Sequence, residues 1–226
     1  MKKTIIIILL VIAVPGSYFA YKSFSTPKTL YAAMKAHDKK GFEALLNAGA
    51  DPNVSMTLTG PRGDKYTETV MRFAAESEDN YYLRLLLQHG GNPNARNNLG
   101  FPILFDTTHT PSDYWAKNHT NVLWDNFDLL VVKGADVNAI GRGDNILTYL
   151  ATTNFFTDVE KILNQYPNID YKDKPTLRAS LAYLVQTSVA GPSTDQGKAK
   201  DRVKTWLQNY GINFPVPKTE YHPNHI

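Results

Sequence analysis

One nine-residue phrase, written three times, limits what this chain can fold into. Leu45–Asn53 reads LLNAGADPN, Leu86–Asn94 reads LLQHGGNPN and Leu130–Asn138 reads LVVKGADVN, at offsets of 41 and 44 residues. Each is an apolar helical turn, a glycine, and a polar turn closed by Asn. Gly49, Gly90 and Gly134 can take the left-handed backbone that ends a helix, which a Cβ resists. Asp51, Asn92 and Asp136 can accept a hydrogen bond from their own backbone two residues on. Pro52 and Pro93 keep the helix from resuming. A helix stop recurring at such a period marks a stack of like units.

The upstream text repeats as well. Ala32 to Leu46, Phe73 to Leu87 and Tyr149 to Leu163 are each 14 residues apart. Around them lie three 17-residue segments, Leu30–Leu46, Met71–Leu87 and Leu147–Leu163. In each, a short apolar and Ala-containing segment meets a polar turn (His37-Asp38, Glu78-Asp79-Asn80, Thr153-Asn154). A second helix follows, with apolar residues at helical spacing. The small residues Ala32, Ala33, Ala74, Ala75 and Ala151 allow close approach of neighbouring first helices. The paired leucines of the second helices fill the layer between units. No unit buries its apolar face alone, so the stack is the folding unit.

These residues resemble the ankyrin repeat. LLNAGADPN and VVKGADVN look like the end of its second helix. TVMRFAA (Thr69–Ala75) is similar to the first-helix opening T-P-L-H-x-A-A, and FPILFDT (Phe101–Thr107) and NILTYLA (Asn145–Ala151) are looser versions. The resemblance covers Thr29 to Phe214, although T-P-L-H is nowhere intact. It implies an all-α fold: a solenoid of about five helix-turn-helix units with β-turn or hairpin fingers, after an N-terminal apolar signal or anchor helix. The expected units are 29–53, 67–94, 100–138, 143–170 and 175–214. The last carries the C-terminal cap, with its second helix starting near Lys198, or else is a helical pair outside the repeat. The expected organisation is a signal or anchor at 1–22, a linker at 23–28, the solenoid at 29–214 and a Pro-rich tail at 215–226.

Three insertions interrupt the period. Gly49 to Met71 spans 22 residues, against 13 for Gly90 to Ile103 and for Gly134 to Leu147. The excess predicts a long hairpin finger, Ser55–Thr59 against Lys65–Thr69, around the turn signals Gly60-Pro61 and Arg62-Gly63-Asp64. Phe105 to Val131 spans 26 residues rather than 14, and the added text holds Tyr114, Trp115 and Trp124. These aromatics either contact a partner or fold back over the solenoid. The third insertion is Val185–Lys200.

The first 22 residues are of another kind. A basic start, Lys2-Lys3, precedes an unbroken apolar run from Ile5 to Val14. Such a segment is a cleaved secretory signal or a retained inner-membrane anchor, and either places the rest of the chain outside the cytoplasm. The chain has no cysteine, which excludes disulfides, thiolate metal sites and cysteine nucleophiles. Its net charge is +3, too small to suggest nucleic acid.

The chemistry of catalysis is scattered. His37, His89, His109, His119, His222 and His225 converge on no base–nucleophile pair, and Gly60–Asp64 and Gly141–Asn145 lack the Lys-Ser/Thr of a phosphate loop. No catalytic residue, cofactor or metal is expected. An enzyme would have to use His109, Asp113 or His119 of the second insertion. A solenoid instead presents its fingers and first helices. The finger candidates are Lys65, Tyr66, Arg96, Asn97 and Asn98, followed by Arg142, Asp144, Tyr171, Lys172 and Asp173. Arg72 and Thr148 are first-helix candidates, and Tyr114 and Trp115 come from the insertion. The resemblance, together with export, implies a protein-binding module of the bacterial envelope, monomeric when free. Its partner would be a periplasm-acting toxin, such as a type VI secretion lipase effector, neutralised by an immunity protein. The alternative is a periplasmic or tethered scaffold for an envelope or stress-defence enzyme.

Overall fold

The computed structural model describes residues 28–108, 123–172 and 179–217. Over these the chain runs as α1 (Leu30–Lys35), α2 (Lys39–Asn47), β1 (Ser55–Thr59), β2 (Lys65–Thr69), α3 (Val70–Ala75), α4 (Tyr81–Gln88), α5 (Ile103–Asp106), α6 (Trp124–Val132), α7 (Ile146–Thr152), α8 (Phe156–Gln165), α9 (Leu181–Thr187) and α10 (Asp195–Asn209). Odd-numbered helices are the short first helices, and even-numbered ones are the second helices. Four first helices open on a side-chain cap: Thr29, Thr69, Asn145 and Ser180 each accept from the backbone N–H three residues on, meeting a donor that the helix itself leaves unpaired. The signal or anchor segment, Tyr114, Trp115, His109, Asp113, His119, Asp173, His222 and His225 lie outside the described residues.

The helix stops work as a backbone motif. Gly49, Gly90 and Gly134 have φ of 90°, 90° and 96°. At each, the glycine N–H donates to the carbonyl three residues back and the next N–H to the carbonyl five residues back. Examples are Gly49 to Leu46 at 2.9 Å and Ala50 to Leu45 at 3.0 Å. This is the Schellman arrangement. Gly211 repeats it at the end of α10, with φ 91° and bonds to Gln208 and Leu207 of 3.0 Å each. Unit four departs: α8 ends at Tyr166-Pro167 without a glycine, yet Asp170 still accepts from the Lys172 N–H at 3.0 Å. The equivalent turns at Asp51, Asn92 and Asp136 close at 2.8–2.9 Å.

First helices pack on first helices, α3 on α5 and α7 on α9, and second on second, α2 on α4 and α8 on α10. Ala33, Ala74, Ala75 and Ala151 are buried in the first-helix layer, whereas Ala32 is exposed. Phe42, Leu46, Tyr82, Leu83, Leu86, Phe127, Leu130, Val159, Ile162, Val203 and Leu207 carry one continuous core along the second helices.

The asparagine closing each phrase clamps one unit to the next. Asn53 donates to the Gly90 carbonyl (3.1 Å) and accepts from the Asn92 N–H (2.7 Å). Asn94 does the same to Gly134 (2.9 Å) and Asp136 (2.8 Å), and Asn138 accepts from the Asp170 N–H at 2.7 Å. A second clamp is Asn126 on α6, which is 1% exposed. Its amide donates to the Ala75 and Ser77 carbonyls at 3.0 and 2.6 Å, closing the end of α3.

Three expectations change. Trp124 is not insertion: it starts α6, half-buried, against Phe127 at 5.5 Å with the Lys161 ammonium over its ring, so it covers the solenoid. The second helix of unit five starts at Asp195, not near Lys198, because the Thr194 hydroxyl caps it from the Gly197 N–H. The link between α9 and α10 is therefore only Ser188–Thr194, much shorter than the sixteen residues read as insertion. Thr148 is not a surface position: it is 1% exposed and shares a reciprocal capping box with Asn145.

Candidate functional site: the finger edge and the first-helix face

The fingers grow out of the polar turns, and each has its own geometry. β1 and β2 pair in register from Ser55↔Thr69 to Thr59↔Lys65, as the sequence predicts. Pro61 pre-sets the tip and Gly63, φ 84°, closes it, with Gly60 and Asp64 joined backbone to backbone at 2.7 Å. This is a three-residue loop with a left-handed last residue. Alternation puts Met56, Leu58 and Tyr66 on one face, half-buried, and Ser55, Thr57, Thr59, Lys65 and Thr67 on the other, exposed. The second finger is Arg96–Pro102, joined as an antiparallel bridge with Gly100 at φ 83°. The third is Gly141–Asp144, whose two central residues Arg142 and Gly143 both have positive φ, 51° and 83°, the signature of a type I′ turn.

A buried polar cluster anchors the first two fingers to the first helices. Glu68, at the base of β2, is 2% exposed and accepts from the Thr69 and Asn98 N–H groups at 2.9 and 3.1 Å. Asp106, at the end of α5, is 4% exposed and accepts from the Asn97 amide on both oxygens at 3.0 and 3.2 Å. Asn97 in turn accepts from the N–H groups of Leu99 and Phe101, at 3.0 Å each, and so shapes the finger tip. Arg72 on α3 sits between the acids: Nε lies 3.5 Å from Asp106 and 4.0 Å from Glu68, and the guanidinium terminus makes a two-point contact with Glu76 at 2.8 and 3.0 Å. Burial, opposed by Arg72 and Asn97 and reinforced by Glu68, pushes the Asp106 carboxyl up to about 6.

The predicted binding residues that are described fall into three groups. Lys65, Arg96, Asn98, Arg142 and Lys172 are exposed. Arg96 also stitches fingers two and three, donating to the Gly100 and Ile140 carbonyls at 2.6 and 2.9 Å. Tyr66 is half-buried on its hairpin face. Arg72, Asp144 and Tyr171 are engaged inside the protein. Arg72 is only 17% exposed at its side chain and belongs to the carboxylate cluster. Asp144 is half-buried and accepts from the Thr148 hydroxyl at 3.3 Å. Tyr171 packs edge-on against Trp206 at 4.9 Å and against Tyr210 at 5.7 Å, so it joins the turn after α8 to the C-terminal cap.

Sequence reasoning missed the cluster, although it left a signal. FPILFDT carries Asp106 where the repeat expects a small residue, and a charge in that layer has to find a partner. Among the described residues, no group of three or more His, Asp or Glu could hold a metal ion, and no helix is long and apolar enough to cross a membrane.

No family model matches the sequence, and no curated protein is significantly similar to it. Among solved structures, the chain is similar to the ankyrin repeat domain of Bcl-3, described as a unique member of the IkappaB protein family. The two share 19% identity at a TM-score of 0.55, over 84% of this chain and 72% of that one. With its stacked helix pairs, Schellman stops and fingers, the chain has the ankyrin-repeat fold.

Proposed function

We propose that the protein is a binding module of the bacterial envelope that grips another protein along its finger edge, as an immunity protein against a periplasm-acting toxin. The observation that carries the reading is the division of labour along each unit. The phrase residues are consumed in turns and clamps between units, while the side chains of Lys65, Asn98, Arg142 and Lys172 are exposed on the fingers. Charge, amide and tyrosine together suit a specific, polar interface. The basic start and apolar run of the N-terminus support delivery to the periplasm, either released by signal cleavage or tethered to the inner membrane.

The test is protection. The full chain and a Tyr66→Ala, Asn98→Ala variant are expressed in cells carrying periplasm-directed candidate toxins, lipases among them. The reading expects wild type to protect against one toxin and to co-purify with it, and the variant to lose both while keeping wild-type circular dichroism. Failure of the chain to protect against, or retain, any toxin encoded beside it would sink the immunity role. Fractionation with N-terminal sequencing of the mature protein tests the location: a cytoplasmic chain with an intact N-terminus refutes export.

A further inference from the structure

The described fingers carry cations that no described residue pairs with. Arg62 and Lys65 flank the tip of the long hairpin, Arg142 occupies the turn of the third finger, and Lys172 follows the turn at Asp170. All four are exposed, and none of them takes part in an ion pair among the described residues. On the second finger, Arg96 spends its hydrogen bonds on two carbonyls, which fixes the guanidinium but leaves its charge uncompensated. Among the described residues, the tips carry fewer acids than cations. Asp64 is exposed, Asp144 is half-buried against the Thr148 hydroxyl, and Glu68 is consumed in the cluster beneath.

Some cations of the second helices are engaged, although Lys40, Arg84, Lys133 and Lys198 are as exposed and as free of ion pairs among the described residues as those of the fingers. Lys39 pairs with Asp79 at 2.6 Å, Arg202 pairs with Glu160, and Lys161 lies 3.7 Å above the Trp124 ring centroid. Stacked helices sit about 8–10 Å apart, so the fingers repeat at that step. The screening length is about 8 Å at physiological salt and about 30 Å at about 0.01 M, so neighbouring tips are largely screened from one another at physiological salt and reinforce one another as a row of positive charge at low salt.

We propose that this edge docks a carboxylate-rich face of the partner protein, one acidic group or cluster for each finger. The inference rests on the reading that the fingers are the binding edge and adds the sign of what they bind. Rim charges of this kind act on association rate and salt dependence, and reject partners of like charge.

The probe is a fluorescein-labelled polyglutamate of about 20 residues, with a single-stranded oligonucleotide of about 20 nucleotides beside it. Both are titrated by anisotropy into the full chain, held in mild detergent. One variant reverses the tips: Arg62→Glu, Lys65→Glu, Arg142→Glu and Lys172→Glu. A control reverses four exposed second-helix cations: Lys40→Glu, Arg84→Glu, Lys133→Glu and Lys198→Glu. The tip variant should bind polyglutamate at least about tenfold more weakly and the control within about twofold of wild type. Equal loss in both variants, no binding by wild type at low salt, or binding of the oligonucleotide without polyglutamate would overturn the proposal. The two readings separate on a captured partner. One lost by Tyr66→Ala with Asn98→Ala but kept by the tip reversal leaves the finger edge standing and refutes its acidic preference. One kept by both variants refutes the finger edge itself.

Discussion

Asp106 is the place where a single atom change tests the energetics of the site. Its carboxyl lies in the first-helix layer at 4% exposure, and burial raises its pKa from 3.8 to about 6 in spite of Arg72 at 3.5 Å. A carboxyl whose folded-state pKa exceeds its unfolded value holds its proton more tightly when folded. The stability it contributes is therefore fully present below the unfolded value and lost as pH rises through about 6. At roughly 1.4 kcal/mol per pH unit, the rise corresponds to about 3 kcal/mol between the two limits. Asp106→Asn imitates the protonated acid at every pH. One amide oxygen still accepts from Asn97, and Arg72 keeps its two-point contact with Glu76 at 2.8 and 3.0 Å. Urea unfolding of both proteins from about pH 4 to about pH 8 should show equal stability at the acid end. Above about pH 7 the variant should be the more stable by about 2–3 kcal/mol, or about 5–12 °C in Tm for a domain of this size. Parallel curves across the whole range would show that Arg72 and Asn97 compensate the buried charge in full, and would refute the argument from burial.

Other expectations follow from the clamps and stops. Asn94→Ala removes the bonds to Gly134 and Asp136 that join the second and third units; at about 0.5–1.5 kcal/mol each, urea unfolding should lose about 1–3 kcal/mol and broaden as the halves decouple, and an unchanged midpoint would deny the clamp. Gly49→Val meets no atom within 4 Å at its new Cβ, so the left-handed backbone sets its cost at about 1–2 kcal/mol or more, with no effect on partner affinity. Gly197→Ala is a contrasting case, because its Cβ would collide with the Gly191 carbonyl; thermal melts should show a larger loss than at Gly49, confined to the C-terminal pair. Tyr171→Ala should loosen the cap it forms with Trp206 and Tyr210, seen as faster hydrogen exchange in α10, and should leave partner binding unchanged. A loss of binding without a loss of protection from exchange would place Tyr171 at the interface instead.

The sequence by itself determined the repeat, because its signals are local. A glycine three residues past an apolar pair and an Asx two residues later, followed by a proline in two of the three phrases, act on their own backbone, so Gly49, Gly90 and Gly134 announce helix ends wherever the chain goes. The hairpin at Ser55–Thr69 was legible for the same reason, since alternation and the Gly-Pro and Gly-Asp turn signals set register within fifteen residues. What only tertiary structure decided are contacts between units. Asn53, Asn94 and Asn138 recur plainly, but that each clamps the following unit depends on two polar turns being stacked side by side, 32 to 42 residues apart in the chain. Arg72 reads as a free first-helix cation until α3 is packed on α5, which brings Asp106 to it beside its chain neighbours Glu68 and Glu76. Thr148 and Tyr171 read as surface until the cap at Asn145 and the rings of α10 enclose them. Local propensity leaves its mark on the residues that obey it. Burial belongs to neighbours that no single segment of the sequence contains.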